Sequence, residues 1–131
     1  MSELDIKKWL SNITETVEIK DLDKHMNLVS KSVMVYGLPN NQIINYSAWN
    51  ERRSNEFKQN LLKSLRYDNL QVKNYGLRRL IFTIEEAMEG SNGDLVIINK
   101  QIVLEQEDDD QWRVVEETIK NWKYVKASQS N

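Results

Sequence analysis

Apolar residues recur at helical spacing through the first part of the chain. Ile6, Trp9, Leu10, Ile13 and Val17 fall on one face and predict a first helix, with Ser2 as its cap. Leu22, His25, Met26 and Val29 predict a shorter second helix capped by Asp21. Val33 to Tyr36 reads as a brief strand, closed by the turn Gly37-Leu38-Pro39-Asn40-Asn41, and Ile43 to Tyr46 can pair with it. Ser47 then caps a third helix whose face carries Trp49, Phe57, Leu61 and Leu65, with Arg53 on the same line.

Beyond Arg66 the pattern changes to that of strands. Leu70–Tyr75, Arg79–Met88, Leu95–Gln106 and Gln111–Tyr124 are the predicted strands. Gly90-Ser91-Asn92-Gly93 and Glu107-Asp108-Asp109-Asp110 supply turns between them. Strands of this length must twist and bend. The prediction is an α+β fold with three N-terminal helices packed on a strongly curved antiparallel sheet. A single domain spans 1–126, followed by a disordered tail at 127–131. The third of these strands is apolar on both faces: Leu95, Ile97 and Val103 on one, Val96, Ile98, Ile102 and Leu104 on the other. A strand of this kind is covered on both sides. Three helices cover one face, so a homodimer through the sheet is expected.

The composition narrows the partners. A formal net charge of −2 over 131 residues argues against nucleic acid or an anionic membrane as the main partner. The absence of cysteine removes disulfide, redox and thiolate-metal chemistry, and a single histidine makes a metal triad improbable. Met1-Ser2-Glu3-Leu4-Asp5 lacks the basic start and apolar run of a signal peptide, so a cytoplasmic location is expected. The acidic run Glu105–Asp110 lacks the ligand order of a calcium loop and reads as a solvated hairpin tip.

Local sequence supports a family reading. Asp21-Leu22-Asp23, then Leu28, then Ser32-Val33-Met34-Val35-Tyr36-Gly37 resembles the second helix and first strand of the nuclear transport factor 2-like superfamily. Gln111-Trp112-Arg113-Val114-Val115 resembles its penultimate turn and last strand, and the likeness runs from about Leu4 to Lys123. The resemblance implies a cone-shaped, cystatin-like domain. It also implies a choice among isomerases, polyketide cyclases, dehydratases, transport factors and members without known activity, a choice that fold alone does not make. Ketosteroid isomerases of this superfamily carry a carboxylate base after the first strand and a tyrosine in the first helix. Here those positions hold Gly37 and Ile13, so that mechanism in its known form is rejected.

The candidate site residues follow from pattern and resemblance. Tyr36, Trp49, Arg53, Phe57 and Gln101 are the expected lining of a pocket between the third helix and the concave sheet face. His25 and Glu86 are the catalytic candidates. His25 lies on an apolar stripe, where a core histidine satisfied by hydrogen bonds outweighs a general base. One of Glu85/Glu86 and one of Glu116/Glu117 must face the apolar side, where burial would raise its pKa. The favoured function is binding of a small apolar or carboxylate-bearing molecule without a recognisable catalytic set, cofactor or metal. The alternatives are a cyclase-, isomerase- or dehydratase-like enzyme using His25 or a mid-strand Glu, and a protein-interaction module. With a cavity below the ~300 Å³ typical of ligand sites, both small-molecule readings fail together.

Overall fold

In the computed structural model, which describes residues 2–127, five strands follow three helices. The order is α1 (Ser2–Glu18), α2 (Leu22–Met26), β1 (Val29–Tyr36), a 3-10 turn (Pro39–Asn41), α3 (Tyr46–Lys58), β2 (Leu62–Tyr75), β3 (Arg79–Gly90), β4 (Leu95–Gln106) and β5 (Trp112–Val125). The expected Ser2 cap lies outside the described side chains. Of the expected disordered tail, positions 128–131 lie outside the described residues, whereas the Ala127 N–H donates to Asp94 Oδ1 at 2.9 Å.

The helix stripes are buried because each has an apolar sheet to meet. All five stripe residues of α1 are in the core, and the Trp9 indole N–H donates to the Leu28 carbonyl at 3.0 Å, tying α1 to the start of β1. The Asp21 carboxylate caps α2 by accepting from the Lys24 N–H. Val29, expected on that helix, instead opens β1. Asn45, not Ser47, caps α3, its side chain accepting from the Ala48 N–H.

The predicted third helix is too long. It ends at Lys58, and Asn60 takes a left-handed φ of 55°, which asparagine tolerates at a helix end. Leu61 is therefore exposed, and Leu65 is buried from β2 rather than from a helix. The first half of β2 went unread because Lys63, Ser64, Arg66 and Asp68 dilute its alternation. Its pairing to Ala87, Met88 and Gly90 nonetheless holds it in the sheet.

The sheet order is β1-β5-β4-β3-β2. Four strands are antiparallel neighbours, but β1 runs parallel to β5, so the sheet is mixed rather than wholly antiparallel. Ile43 to Tyr46 does not form a strand; one bridge, Val35–Ile44, is its link to β1. Register shifts in β2, including one at Asn69 (φ 58°), and two more between β4 and β5 bend the sheet around the helices.

Cross-strand partners share a face, so the register lays out the concave side in rows. From the deep end these are Leu80–Leu104–Val114, Phe82–Ile102–Glu117, Ile84–Lys100–Ile119, Glu86–Ile98–Trp122 and Met88–Val96–Tyr124. The first row is fully buried, and Trp122 and Tyr124 are each 53% exposed. The cone is thus packed at its narrow end and uncovered at its wide end.

Candidate functional site

Charge enters the concave face where the second to fourth rows meet. Lys100 Nζ lies 3.0 Å from Glu86 Oε2 and 2.9 Å from Glu117 Oε1. Glu86 Oε2 also accepts from the Tyr67 hydroxyl at 2.6 Å. Glu86, Lys100 and Glu117 are 2%, 6% and 5% exposed. Burial alone would raise the Glu86 carboxyl, but Lys100 and the Tyr67 hydroxyl hold it below its ordinary value. Burial, with Glu86 adding to it, pushes Glu117 up against the pull of Lys100. Burial works to lower Lys100, yet its two carboxylates keep it above the usual lysine value. Burial and the Glu86 charge raise Tyr67 well above 10. The result is a chain Tyr67–Glu86–Lys100–Glu117 in which Glu117 is the carboxyl that most readily holds a proton.

Sequence reasoning offered one of each Glu pair for the apolar side, where Glu86 and Glu117 lie, but passed over Lys100 and Tyr67. The signal was parity. Lys100 lies between Ile98 and Ile102 on the side that also carries Leu104, so it faces the concave side with them. Gln101, expected in the lining, and its near neighbour Asn99 have the opposite parity. Gln101 pairs with Thr83 and Thr118 on the outer face, and Asn99 donates to Asn121 there.

His25 is not at this site. Its ring is fully buried, edge-on to Phe57 at 5.8 Å between centroids. The Trp49 indole N–H can only donate, so His25 Nε2 accepts from it at 3.1 Å. The Thr16 hydroxyl gives its one hydrogen to the Ile13 carbonyl at 2.8 Å, so its contact of 3.0 Å with His25 requires Nδ1–H to donate. The ring is therefore the neutral Nδ1–H tautomer with both nitrogens committed. Burial, aided by the Arg53 charge, lowers its pKa to about 3. That removes His25 as an acid or base near neutrality.

A cavity of about 80 Å³, partly open to solvent, adjoins the charged chain. Glu86, Lys100 and Glu117 line it together with Trp49, Arg52 and Arg53 from α3, Leu38 and Ile44 from the loop, and Met88, Ile98 and Ile119 from the sheet. Of the expected lining, Trp49 and Arg53 are present. Tyr36, Phe57 and Gln101 are not: Tyr36 is exposed past the end of the wall, Phe57 packs on His25, and Gln101 lies across the sheet. The volume is far below ~300 Å³, so both small-molecule readings fail in the form expected, in which the cone encloses a whole ligand. It has room for roughly two or three water-sized groups at ~30 Å³ each.

Arg53 stands apart in this wall. It is 8% exposed, its guanidinium lies 6.0 Å from the Trp49 ring centroid, and Nη1 donates to Glu56 at 2.6 Å. Its buried Nε has no protein acceptor. The place where the isomerase base would stand is closed for a different reason. Gly37 has φ +87°, and a Cβ there would meet the Ile119 carbonyl oxygen at 2.2 Å. Among the described residues no group of metal-ligating side chains is assembled, and no helix is long and apolar enough to cross a membrane.

No protein-family model matches the chain, and no curated protein does. Solved structures do. A nuclear transport factor 2-like protein from Cytophaga hutchinsonii aligns with a TM-score of 0.71 at 9% identity, over 87% of this chain and 93% of its own. A protein of the same kind and of unknown function from Shewanella oneidensis aligns at 0.70 with 17% identity, over 91% and 98%. This chain has the nuclear transport factor 2-like fold. A provisional scytalone dehydratase from Novosphingobium aromaticivorans also aligns, at 0.73 with 8% identity, over 94% and 85%. At these identities the likeness carries the architecture and leaves the chemistry to the residues.

Proposed function

We propose that this nuclear transport factor 2-like domain binds a small molecule by a carboxylate head seated in the cone cavity against Arg53. The observation that carries the reading is the Arg53 Nε, a buried donor without a protein acceptor on a side chain that lines the cavity. Such a donor costs about 1–3 kcal/mol unless something satisfies it. The guanidinium edge that includes Nε matches a carboxylate, whereas Nη1 is already held by Glu56. The cavity volume suits a head group and not a whole ligand. The test is a calorimetric titration with hexanoate and benzoate. Arg53→Lys keeps the charge and loses the fork, and should weaken binding roughly tenfold or more. Equal affinity in the wild type and the variant would refute the assignment.

A second reading rests on Glu117. It lines the cavity and has a raised pKa, so it could take a proton from the carbon next to a carbonyl and return one from solvent. Incubating the protein with small ketones in heavy water tests this. Deuterium entering the α-carbon, and lost in Glu117→Gln, would support an acid/base enzyme. For assembly, the outer face of β4 leaves Leu95 and Ile97 half-buried in the single chain, and this partly open apolar area supports a homodimer through the sheet, although Val103 on the same face is already covered. Light scattering returning a monomer at micromolar concentration would refute it.

A further inference from the structure

The cavity does not end in a wall. Its sheet side continues outward along the Glu86–Ile98–Trp122 and Met88–Val96–Tyr124 rows. Met88 and Ile98 belong to the cavity lining and to these rows alike. Trp122 faces the same way as its partner Ile98, and Tyr124 the same way as Val96. Both aromatic side chains are half exposed on a concave surface, with the polar end of the cavity directly below them. From Lys100 to Val96 the strand covers four steps, or about 13 Å at ~3.3 Å per residue. The side chains over that distance are Ile98, Val96, Met88, Trp122 and Tyr124; the one charged member of the two rows, Glu86, is buried and paired with Lys100, and the Tyr124 hydroxyl donates to Asp94 at the outer end.

We propose that these two rows take the apolar tail of the ligand, so that the compound bound is an amphipathic monocarboxylate with an extended apolar body. The proposal rests on the head-group reading above and adds the class of molecule attached to the head. Continuity argues for a small amphiphile over a second protein. The apolar rows lead without a break into the wall that holds Arg53, and a small amphiphile spans both. The outer sheet face, which supports the dimer, is on the opposite side of the strands. Exposed tryptophan in a concave, otherwise aliphatic strip offers a large flat contact at little conformational cost.

The experiment is a calorimetric series of straight-chain monocarboxylates from butyrate to decanoate, on the wild type, Trp122→Ser and Arg53→Lys. In the wild type, affinity should rise by up to about fourfold for each methylene buried, and level off once the tail passes Tyr124. Trp122→Ser should flatten that rise while leaving butyrate unchanged, and Arg53→Lys should weaken every length alike. Should no length bind, or should Arg53→Lys bind as well as the wild type, the head-group reading fails. If Arg53-dependent binding shows no rise with length, or the rise survives in Trp122→Ser, the tail proposal alone is overturned. A change of oligomeric state in Trp122→Ser would assign these rows to a second copy and overturn it too.

Discussion

Two buried polar clusters meet α3, one through Trp49 and the other beside Arg53, and they differ in how complete they are. Around His25, each donor has one acceptor: Trp49 to Nε2, Nδ1 to Thr16, Thr16 to the Ile13 carbonyl. The ring is neutral and the chain of bonds ends on backbone. Around Lys100, two carboxylates share one ammonium, and Arg53 beside them keeps a free donor at a cavity wall. Depth of burial does not separate the two. What separates them is closure: the first needs nothing from outside, and the second has a charge ratio and a donor that a bound molecule could complete. A lone histidine in a cone draws attention first, yet here it belongs to the scaffold.

The sharpest way to break this comparison is to remove the shared cation. Lys100→Met leaves Glu86 and Glu117 facing each other without a counter-charge, and should cost about 3–5 kcal/mol near neutrality. In that variant both folded carboxylates would titrate above their unfolded values. Their destabilisation should thus be small in mild acid and grow as pH rises. Urea unfolding at pH 5 and pH 8 measures both. A variant as stable as the wild type at pH 8 would show that the cluster is not held as ions.

The His25 cluster predicts the opposite slope. Its pKa falls from about 6.5 unfolded to about 3 folded, so the unfolded chain binds the proton first. The stability contributed is complete above pH 6.5 and is lost as pH drops toward 3. At pH 4 the loss should reach about 3 kcal/mol, from 1.36 kcal/mol per pKa unit. His25→Gln, which can still accept from Trp49 and donate to Thr16, should unfold with a shallower acid slope than the wild type. Parallel slopes would mean that the ring is already charged in the fold.

Both clusters show where sequence reading stops. The three helices, the long strands and their turns were legible because apolar residues repeat at fixed spacing and Gly, Asn and Asp mark the turns. The end of α3 was not, since Leu61 and Leu65 continue a helical spacing that Asn60 interrupts. The first half of β2 hid behind its solvent-facing polar residues. At the site, parity on β4 is enough to place Lys100 inward and the expected lining residue Gln101 outward. No local pattern could pair Lys100 with Glu117, because that contact depends on a register with two bulges. Tyr36 and Phe57 were placed by resemblance to the cone's rim, and a short loop with one β-bridge put the rim elsewhere.

A smaller effect isolates the neutral cluster. Thr16→Val keeps the shape and removes the acceptor of His25 Nδ1–H and the donor to the Ile13 carbonyl. Leaving the ring N–H unpaired should cost about 1–3 kcal/mol by thermal or urea unfolding. Binding of any carboxylate should be unchanged, because Thr16 and His25 do not line the cavity and meet it only through Trp49. A fall in affinity at equal stability would show that Trp49 couples the two clusters.

The smallest effect comes from the acidic twins. Glu85/Glu86 and Glu116/Glu117 are adjacent residues of one type that differ in the face they occupy. Glu85 pairs with Asn99 and Glu116 with Val103 on the outer side, while Glu86 and Glu117 meet Lys100 inside. Glu116→Gln, on the half-buried outer face and without an ion pair, should shift stability by less than about 0.5 kcal/mol. Glu117→Gln removes the carboxyl whose proton is easiest to hold. It should leave Lys100 paired to Glu86 and make carboxylate affinity less sensitive to pH, since an anionic ligand is opposed by ionised Glu117 and not by an amide. In the wild type, affinity should weaken as pH rises and Glu117 ionises. If Glu116→Gln rather than Glu117→Gln altered that profile, the strand register would be off by one, and every inward assignment made from it would fall together.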